Sequence, residues 1–130
     1  MFEMPMPGML LVRYREASDM EPARQEPFIE AIRTASRLRP VAIVFVIGDG
    51  VRSVDFAVPS FWIKVVADPS IQIGAMAMVT TSLAVGIAAR SFGAASRFRN
   101  QPIEIRTFAD EPSAVTWARH TLFAAIAQHP

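Results

Sequence analysis

The sequence predicts one α/β domain, in which helices pack on a mostly parallel sheet of four to five strands. The first observation is the segment 41–47, seven apolar and mostly β-branched residues in a row, which is typical of a strand buried on both faces. The second is that extended apolar segments alternate with helix-like segments in the order β-α-β-α-β-α-β-α. Residues 1–130 are therefore expected to form a single domain, with a flexible N-terminus at 1–8 and a C-terminal tail at 127–130.

The first half of the chain contains two predicted strands and one helix between them. The alternating pattern of residues 9–15 predicts a half-buried strand near a sheet edge. A polar segment containing Pro22 and Pro27 then leads into the helix. The inward face of this helix is predicted from residues that recur at helical spacing: Phe28, Ile29, Ile32, Ala35 and Ser36. Pro40 ends the helix and leads into the buried strand.

Two further helices enclose the second strongly apolar strand. A short helix is predicted to begin at residues 59–60, because proline is favoured in a first helical turn. It is predicted to end at residues 68–70. Residues 73–80 form the strand, and a hydroxyl at 81–82 caps the next helix. The apolar stripe of that helix is Val85, Ala88, Phe92, Ala95 and Phe98.

The last part of the chain is predicted to be one strand and one helix. Residues 103–108 alternate as a strand does, and residues 110–112 give a strong helix start, with acidic side chains at the positive end of the helix dipole. The helix stripe is Val115, Ala118, Leu122, Ala125 and Ile126. Trp117 lies off this stripe, so it either fills a second packing face or belongs to an interface.

Composition excludes several classes of function. Without cysteine the chain has no disulfide, no thiolate nucleophile and no zinc–cysteine site. A net charge of +1 does not favour nucleic acid or an anionic membrane. No apolar run approaches the ~20 residues that span a bilayer, and residues 1–8 do not form a secretory signal, so we expect a cytoplasmic protein. His120 and His129 do not share a helical face, and no metal or other cofactor is expected.

Candidate functional residues lie in the loop that follows the buried strand. Open α/β sheets place their sites at the carboxyl ends of strands. The loop holds Asp49, Ser53 and Asp55 but no histidine, cysteine or lysine, and Ser53 has no general base beside it. Segment 48–50 matches neither phosphate-binding glycine pattern, and Asp49 would repel phosphate. We interpret the two aspartates as loop caps, with a Mg²⁺ site or a catalytic carboxylate pair as the weaker alternative.

An unusually apolar segment, 56–62, continues from this loop. It is too hydrophobic for an ordinary solvated loop, which predicts a surface for a protein partner or for a second copy of the chain. The candidate interface residues are Asp49, Ser53, Asp55, Phe56, Ser60, Phe61 and Trp62, with Thr81 and Ser82 beside them. The alternative is a module that binds a small apolar molecule or a lipid, in which residues 56–66, Met76 and Met78 line a pocket.

Two segments of the chain resemble the motifs of a known family. Residues 49–58, DGVRSVDFAV, resemble a loop of the form S-G-V-x-x-[IV]-D-S-S-G. Residues 108–114, FADEPSA, resemble an F-x-[DS]-x-x-x-A pattern that precedes a last helix. Both motifs resemble those of the STAS domain, the fold of bacterial anti-sigma-factor antagonists, and more closely those of its SpoIIAA-like and STAS/SEC14-like relatives. The resemblance covers Glu16 to about Leu122, and the N-terminal hairpin of the family looks reduced to one strand.

The resemblance implies a regulatory, non-enzymatic module that works by binding a protein. The antagonists are switched by phosphorylation of the second serine of D-S-S-G, because the added charge changes partner binding. Ala57 stands at that position and Phe56 at the position of the first serine, so only the aspartate of D-S-S-G is retained, as Asp55. A module of this kind could not be switched by phosphorylation at that position.

Overall fold

The computed structural model describes residues 2–98 and 103–128, and the side chains of 2–94 and 103–124. One α/β sheet of five strands carries four helices. The elements in chain order are β1 (Phe2–Met6), β2 (Met9–Tyr14), α1 (Glu26–Ala35), β3 (Val41–Ile47), α2 (Ala57–Ala67), β4 (Ile73–Val79), α3 (Leu83–Phe98), β5 (Glu104–Phe108) and α4 (Glu111–Gln128). Two short 3-10 helices, Ala17–Met20 and Pro22–Arg24, connect β2 to α1.

The strands lie in the sheet in the same order as in the chain, β1-β2-β3-β4-β5. β2 to β5 pair in parallel, as the sequence predicts, whereas β1 pairs antiparallel with β2. Parallel crossovers are right-handed, so three successive crossovers in one direction place α1, α2 and α3 on the same face of the sheet. The helix α4 returns across the opposite face, where it packs on β3 and β4.

Strand β1 corrects the expectation of a flexible N-terminus at 1–8 and of a reduced hairpin. Its side chains are mostly exposed and include Pro5, so the segment lacks the apolar alternation by which a strand is recognised. Gly8 adopts φ 83°, a conformation that favours glycine, and closes the tight turn into β2. At the other end α4 includes residues 127 and 128, which the sequence analysis assigned to the tail, while residues 129–130 lie outside the described part.

Strand β2 is more buried than its pattern predicts. We expected a half-buried strand near an edge, yet Leu10 and Val12 are buried on one face while Met9 and Leu11 are buried on the other. The cause is tertiary, because β1 continues the sheet beyond β2 and α4 covers the second face. Only Arg13 remains exposed within the strand.

The two faces of the sheet are packed with different side chains. The face under α1, α2 and α3 holds an aromatic cluster, in which the ring of Trp62 lies 5.1 Å from that of Phe45 and 6.0 Å from that of Phe28. The face under α4 is lined by small residues that allow close approach of the helix. Ala42, Ala75 and Ala77 of the sheet face Ala114, Ala118 and Leu122 of α4 within one buried cluster.

Candidate functional site at the carboxyl edge of the sheet

The loop after β3 and the start of α3 meet at the carboxyl edge of the parallel strands. They line a polar pocket of about 220 Å³. Asp49 and Arg52 come from the loop, and Thr80, Thr81 and Ser82 come from the end of β4 and the start of α3. The structure thus brings together two groups of candidate residues that are some thirty positions apart in the sequence.

Close backbone contact explains the two glycines of this loop. The Gly48 N–H donates a hydrogen bond of 2.7 Å to the Tyr14 carbonyl at the end of β2. A Cβ atom at Gly50 would lie 2.5 Å from the carbonyl oxygen of Arg15, a distance that real Cβ atoms do not adopt. The glycines therefore let the loop pass against β2, which agrees with a turn rather than with a phosphate-binding loop.

Asp55 and Ser82 accept backbone hydrogen bonds where the two helices at this edge begin. The Asp55 carboxylate accepts the Ala57 N–H at 2.8 Å in the turn that leads into α2, and α2 starts at Ala57 and not at residues 59–60 as predicted. Ser82 Oγ accepts the Val85 N–H at 3.3 Å, and its own N–H donates to Thr80 Oγ1 at 3.0 Å. Asp55 thus has the capping role expected of it, and Ser82 rather than Thr81 caps α3.

The apolar candidates of α2 are divided between the surface and the core. Phe56 is 83% exposed, whereas Trp62 is only 6% exposed. Trp62 therefore cannot present its ring to a partner, which corrects its assignment as an interface residue. Val58, Trp62 and Val65 recur at helical spacing on the side that faces the sheet. Phe61 is half-buried, with its ring 5.6 Å from that of Trp62.

Exposed apolar side chains occur at the starts of both helices. Phe56 precedes α2, and Leu83, 74% exposed, is the first residue of α3, with Ile87 one turn later. We call Phe56, Leu83 and Ile87 the carboxyl-edge patch. The sequence analysis missed Leu83 and Ile87, although their i, i+4 spacing off the predicted stripe of α3 is visible in the sequence.

An apolar cavity lies behind this edge, between α2, α3 and the sheet. Its volume is about 60 Å³. The lining includes Val54, Val58, Pro59 and Trp62 from the loop and α2, Val85, Ala88, Ala89 and Phe92 from α3, and Phe45, Met76, Ala77 and Met78 from the sheet. Val58, Pro59, Trp62, Met76 and Met78 are residues that the apolar-ligand alternative places in a pocket wall. The remaining lining residues were not predicted, because they meet only when α3 packs beside α2.

The other candidate residues lie elsewhere. Ser53 is exposed in the loop and Ser60 is half-buried in α2. His120 is exposed on α4, and His129 lies outside the described residues. Trp117 packs its ring 5.7 Å from that of Phe108, which supports the second packing face of the two alternatives. Within residues 2–98 and 103–128, no three histidine, aspartate or glutamate side chains are grouped closely enough to hold a metal ion.

Membrane-spanning potential and similarity to known proteins complete the description. None of the helices in the described residues is both long enough and apolar enough to cross a membrane. Searches of protein-family models, of curated proteins and of solved structures gave no match to this chain.

Proposed function

We propose that this protein is a STAS-like regulatory module that acts by binding a protein partner at the carboxyl edge of its sheet and does not catalyse a reaction. The observation that carries the proposal is the exposure of Phe56 and Leu83 at the starts of neighbouring helices. Large apolar side chains grouped at one surface are typical of interaction sites, where a few such residues supply most of the binding energy.

The STAS resemblance supports this location. Segment 49–58, which resembles the family loop, begins at Asp49 in the polar pocket and includes Asp55, whose carboxylate accepts the Ala57 N–H at the start of α2. An N-terminal hairpin, as the family has, is present as β1 and β2. Because Ala57 has no hydroxyl to phosphorylate, partner binding by this module would not be switched at that residue.

Serine substitutions in the patch test the proposal. The double variant Phe56→Ser, Leu83→Ser removes two exposed apolar contacts and no core contact. We expect the amount of the principal co-purifying protein, measured by quantitative mass spectrometry from native cells, to fall about tenfold or more, since hot-spot truncations cost at least ~1–2 kcal/mol each.

The matched control is Leu38→Ser, Phe123→Ser, which removes two exposed apolar side chains far from this edge. We expect the control to keep the partner. Equal retention by both double variants, or equal loss from both, would refute a docking role for the carboxyl-edge patch.

A second candidate function, binding of a small apolar molecule, is favoured by the apolar cavity between α2 and α3. Buried or half-buried apolar residues line that cavity, and methionine side chains adapt to irregular apolar shapes. Binding to the cavity and docking on the patch use different residues, so the two functions can be tested separately.

A further inference from the structure

We propose that the cavity and the polar pocket together bind one single-chain amphiphile of the fatty-acid type, with its hydrocarbon tail in the cavity and its head group in the pocket. The inference rests on the second candidate function and names its ligand class. It does not depend on partner docking at the carboxyl-edge patch.

Residues that are close in the sequence line the polar pocket and the apolar cavity at two places along the chain. Arg52 lines the polar pocket and Val54 the apolar cavity, and they are two residues apart in one loop. Ser82 lines the pocket and Val85 the cavity, and they are joined by the 3.3 Å capping hydrogen bond. Two residues of extended chain span at most about 7 Å, so a polar and an apolar environment lie within the length of a short acyl chain.

The cavity suits a narrow apolar chain. Its wall is almost wholly apolar, and the small side chains of Ala88 and Ala89 leave room between the larger ones. Its 60 Å³ is less than half the ~150 Å³ of a cavity that holds benzene, so without rearrangement it accommodates only the end of an acyl chain. Deeper insertion requires new rotamers of Met76 and Met78, which unbranched thioether side chains adopt readily.

The polar pocket suits the head group of such a molecule. The Arg52 guanidinium and the first turn of α3 attract a carboxylate, whereas the Asp49 carboxylate opposes it. Because these charges partly offset one another, the tail is expected to supply most of the affinity. Affinity should therefore rise with chain length among saturated fatty acids that carry the same head group.

The two tryptophans of the chain make a direct test possible. Trp62 lines the cavity, while Trp117 packs on the opposite face of the sheet. Bromine quenches tryptophan fluorescence only at short range, so dibromostearate, used below its micelle concentration, reports which ring the tail approaches. In Trp117→Phe, where Trp62 is the sole reporter, we expect saturable quenching; in Trp62→Phe, where Trp117 remains, we expect almost none.

A cavity-filling substitution provides the second measurement. In the Trp117→Phe background, Ala88→Phe should raise the apparent Kd for dibromostearate about tenfold or more. Ala84→Phe is the matched control, because Ala84 is exposed on the same helix and does not line the cavity. We expect the control to bind as the background protein does, and Ala88→Phe to keep its protein partner.

Equal quenching of the two tryptophans, or quenching that rises linearly without saturation, would overturn the proposal by showing non-specific association. If Ala88→Phe is too unstable to assay, the comparison of the two single-tryptophan proteins still shows whether the tail binds beside Trp62. If the unsubstituted protein captures its partner but does not bind dibromostearate, this inference fails and the docking proposal stands.

Discussion

The phenol of Tyr14 anchors the connection between β2 and α1. Its hydroxyl donates a 2.5 Å hydrogen bond to Gln25 Oε1, and both side chains are buried. The Gln25 amide nitrogen in turn donates to the carbonyls of Asp19 and Glu21, at 2.7 and 3.0 Å. One buried network thus fixes both 3-10 helices against the end of β2, and every polar atom named in it has a partner.

Burial raises the pKa of Tyr14, and the negative charge of Asp19 raises that pKa further. The folded chain therefore holds this proton more tightly than the unfolded chain, so the stabilising contribution is complete below about pH 10 and is lost as the pH rises through the folded pKa. As the chain has a single tyrosine, tyrosinate absorbance reports Tyr14 alone. We expect tyrosinate to appear near pH 10 in urea but only at higher pH in the folded protein, and coincident titrations would contradict the buried network.

Trp62 and Phe56 show what a sequence cannot reveal about single residues. Both lie in a segment that is apolar on nearly every side, so helical periodicity does not indicate which side chains face inward. The structure buries Trp62 in the aromatic cluster and exposes Phe56. Only packing against the sheet, which the local pattern does not contain, distinguishes them.

Truncation of these two side chains should therefore have opposite consequences. Trp62→Ala removes a buried ring that contacts Phe28, Phe45 and Phe61, and we expect it to lower the free energy of unfolding by ~3–5 kcal/mol. Phe56→Ala should change it by no more than about 0.5 kcal/mol, as exposed substitutions usually do. Urea denaturation measures both, and a small effect of Trp62→Ala would show that its ring is not in the core.

Helix α4 depends on small side chains for its close approach to the sheet. Ala118 is fully buried in the cluster that includes Ala42, Ala75 and Ala77 of the sheet. We expect Ala118→Leu to overpack this contact and to lower the free energy of unfolding by ~1–3 kcal/mol. Ala124→Leu is the control, since Ala124 is exposed on the same helix and should tolerate the change. Equal thermal stability of the two variants would argue against close packing of α4.

Helix α3 begins at a side-chain cap that the sequence located to within one residue. Because Ser82 Oγ accepts the Val85 N–H, Ser82→Ala should lower the free energy of unfolding by about 1 kcal/mol. Ser82→Asp restores an acceptor and should recover most of the loss, while Ser53→Ala, in the exposed loop, serves as the control. If the aspartate variant is no more stable than the alanine variant in urea, Ser82 is not an effective cap.

The elements that the sequence predicts are those with a local signature. The strand β3 follows from its continuous apolar run, and α4 follows from the acidic start at Asp110, whose carboxylate accepts the Ser113 N–H at 2.8 Å. Strand β1 has no such signature, since its side chains are exposed and its stability comes from pairing with β2. The early start of α2 likewise has no local signature, since its N-cap residue is Phe56, which accepts no capping hydrogen bond through its side chain.

The position of the candidate functional site follows from the parallel sheet more than from any sequence motif. Parallel strands end at one edge, so the loop after β3 and the start of α3 had to meet there, and the sequence predicts that meeting. The cavity could not be predicted in the same way, because its wall is assembled from α2, α3 and the sheet, which meet only in the folded protein. Arg52 was missed for a similar reason, since only the folded loop places it in the polar pocket.

Position-specific photo-crosslinking in native cells tests the docking proposal most directly. Benzoylphenylalanine would replace Phe56 or Leu83 in the carboxyl-edge patch, and Leu38 or Phe123, which are also exposed, at control positions. We predict that both patch positions crosslink to the same protein, identified by mass spectrometry, and that the control positions do not. Crosslinking that is absent from the patch, or equal at all four positions, would contradict a partner surface at the carboxyl edge.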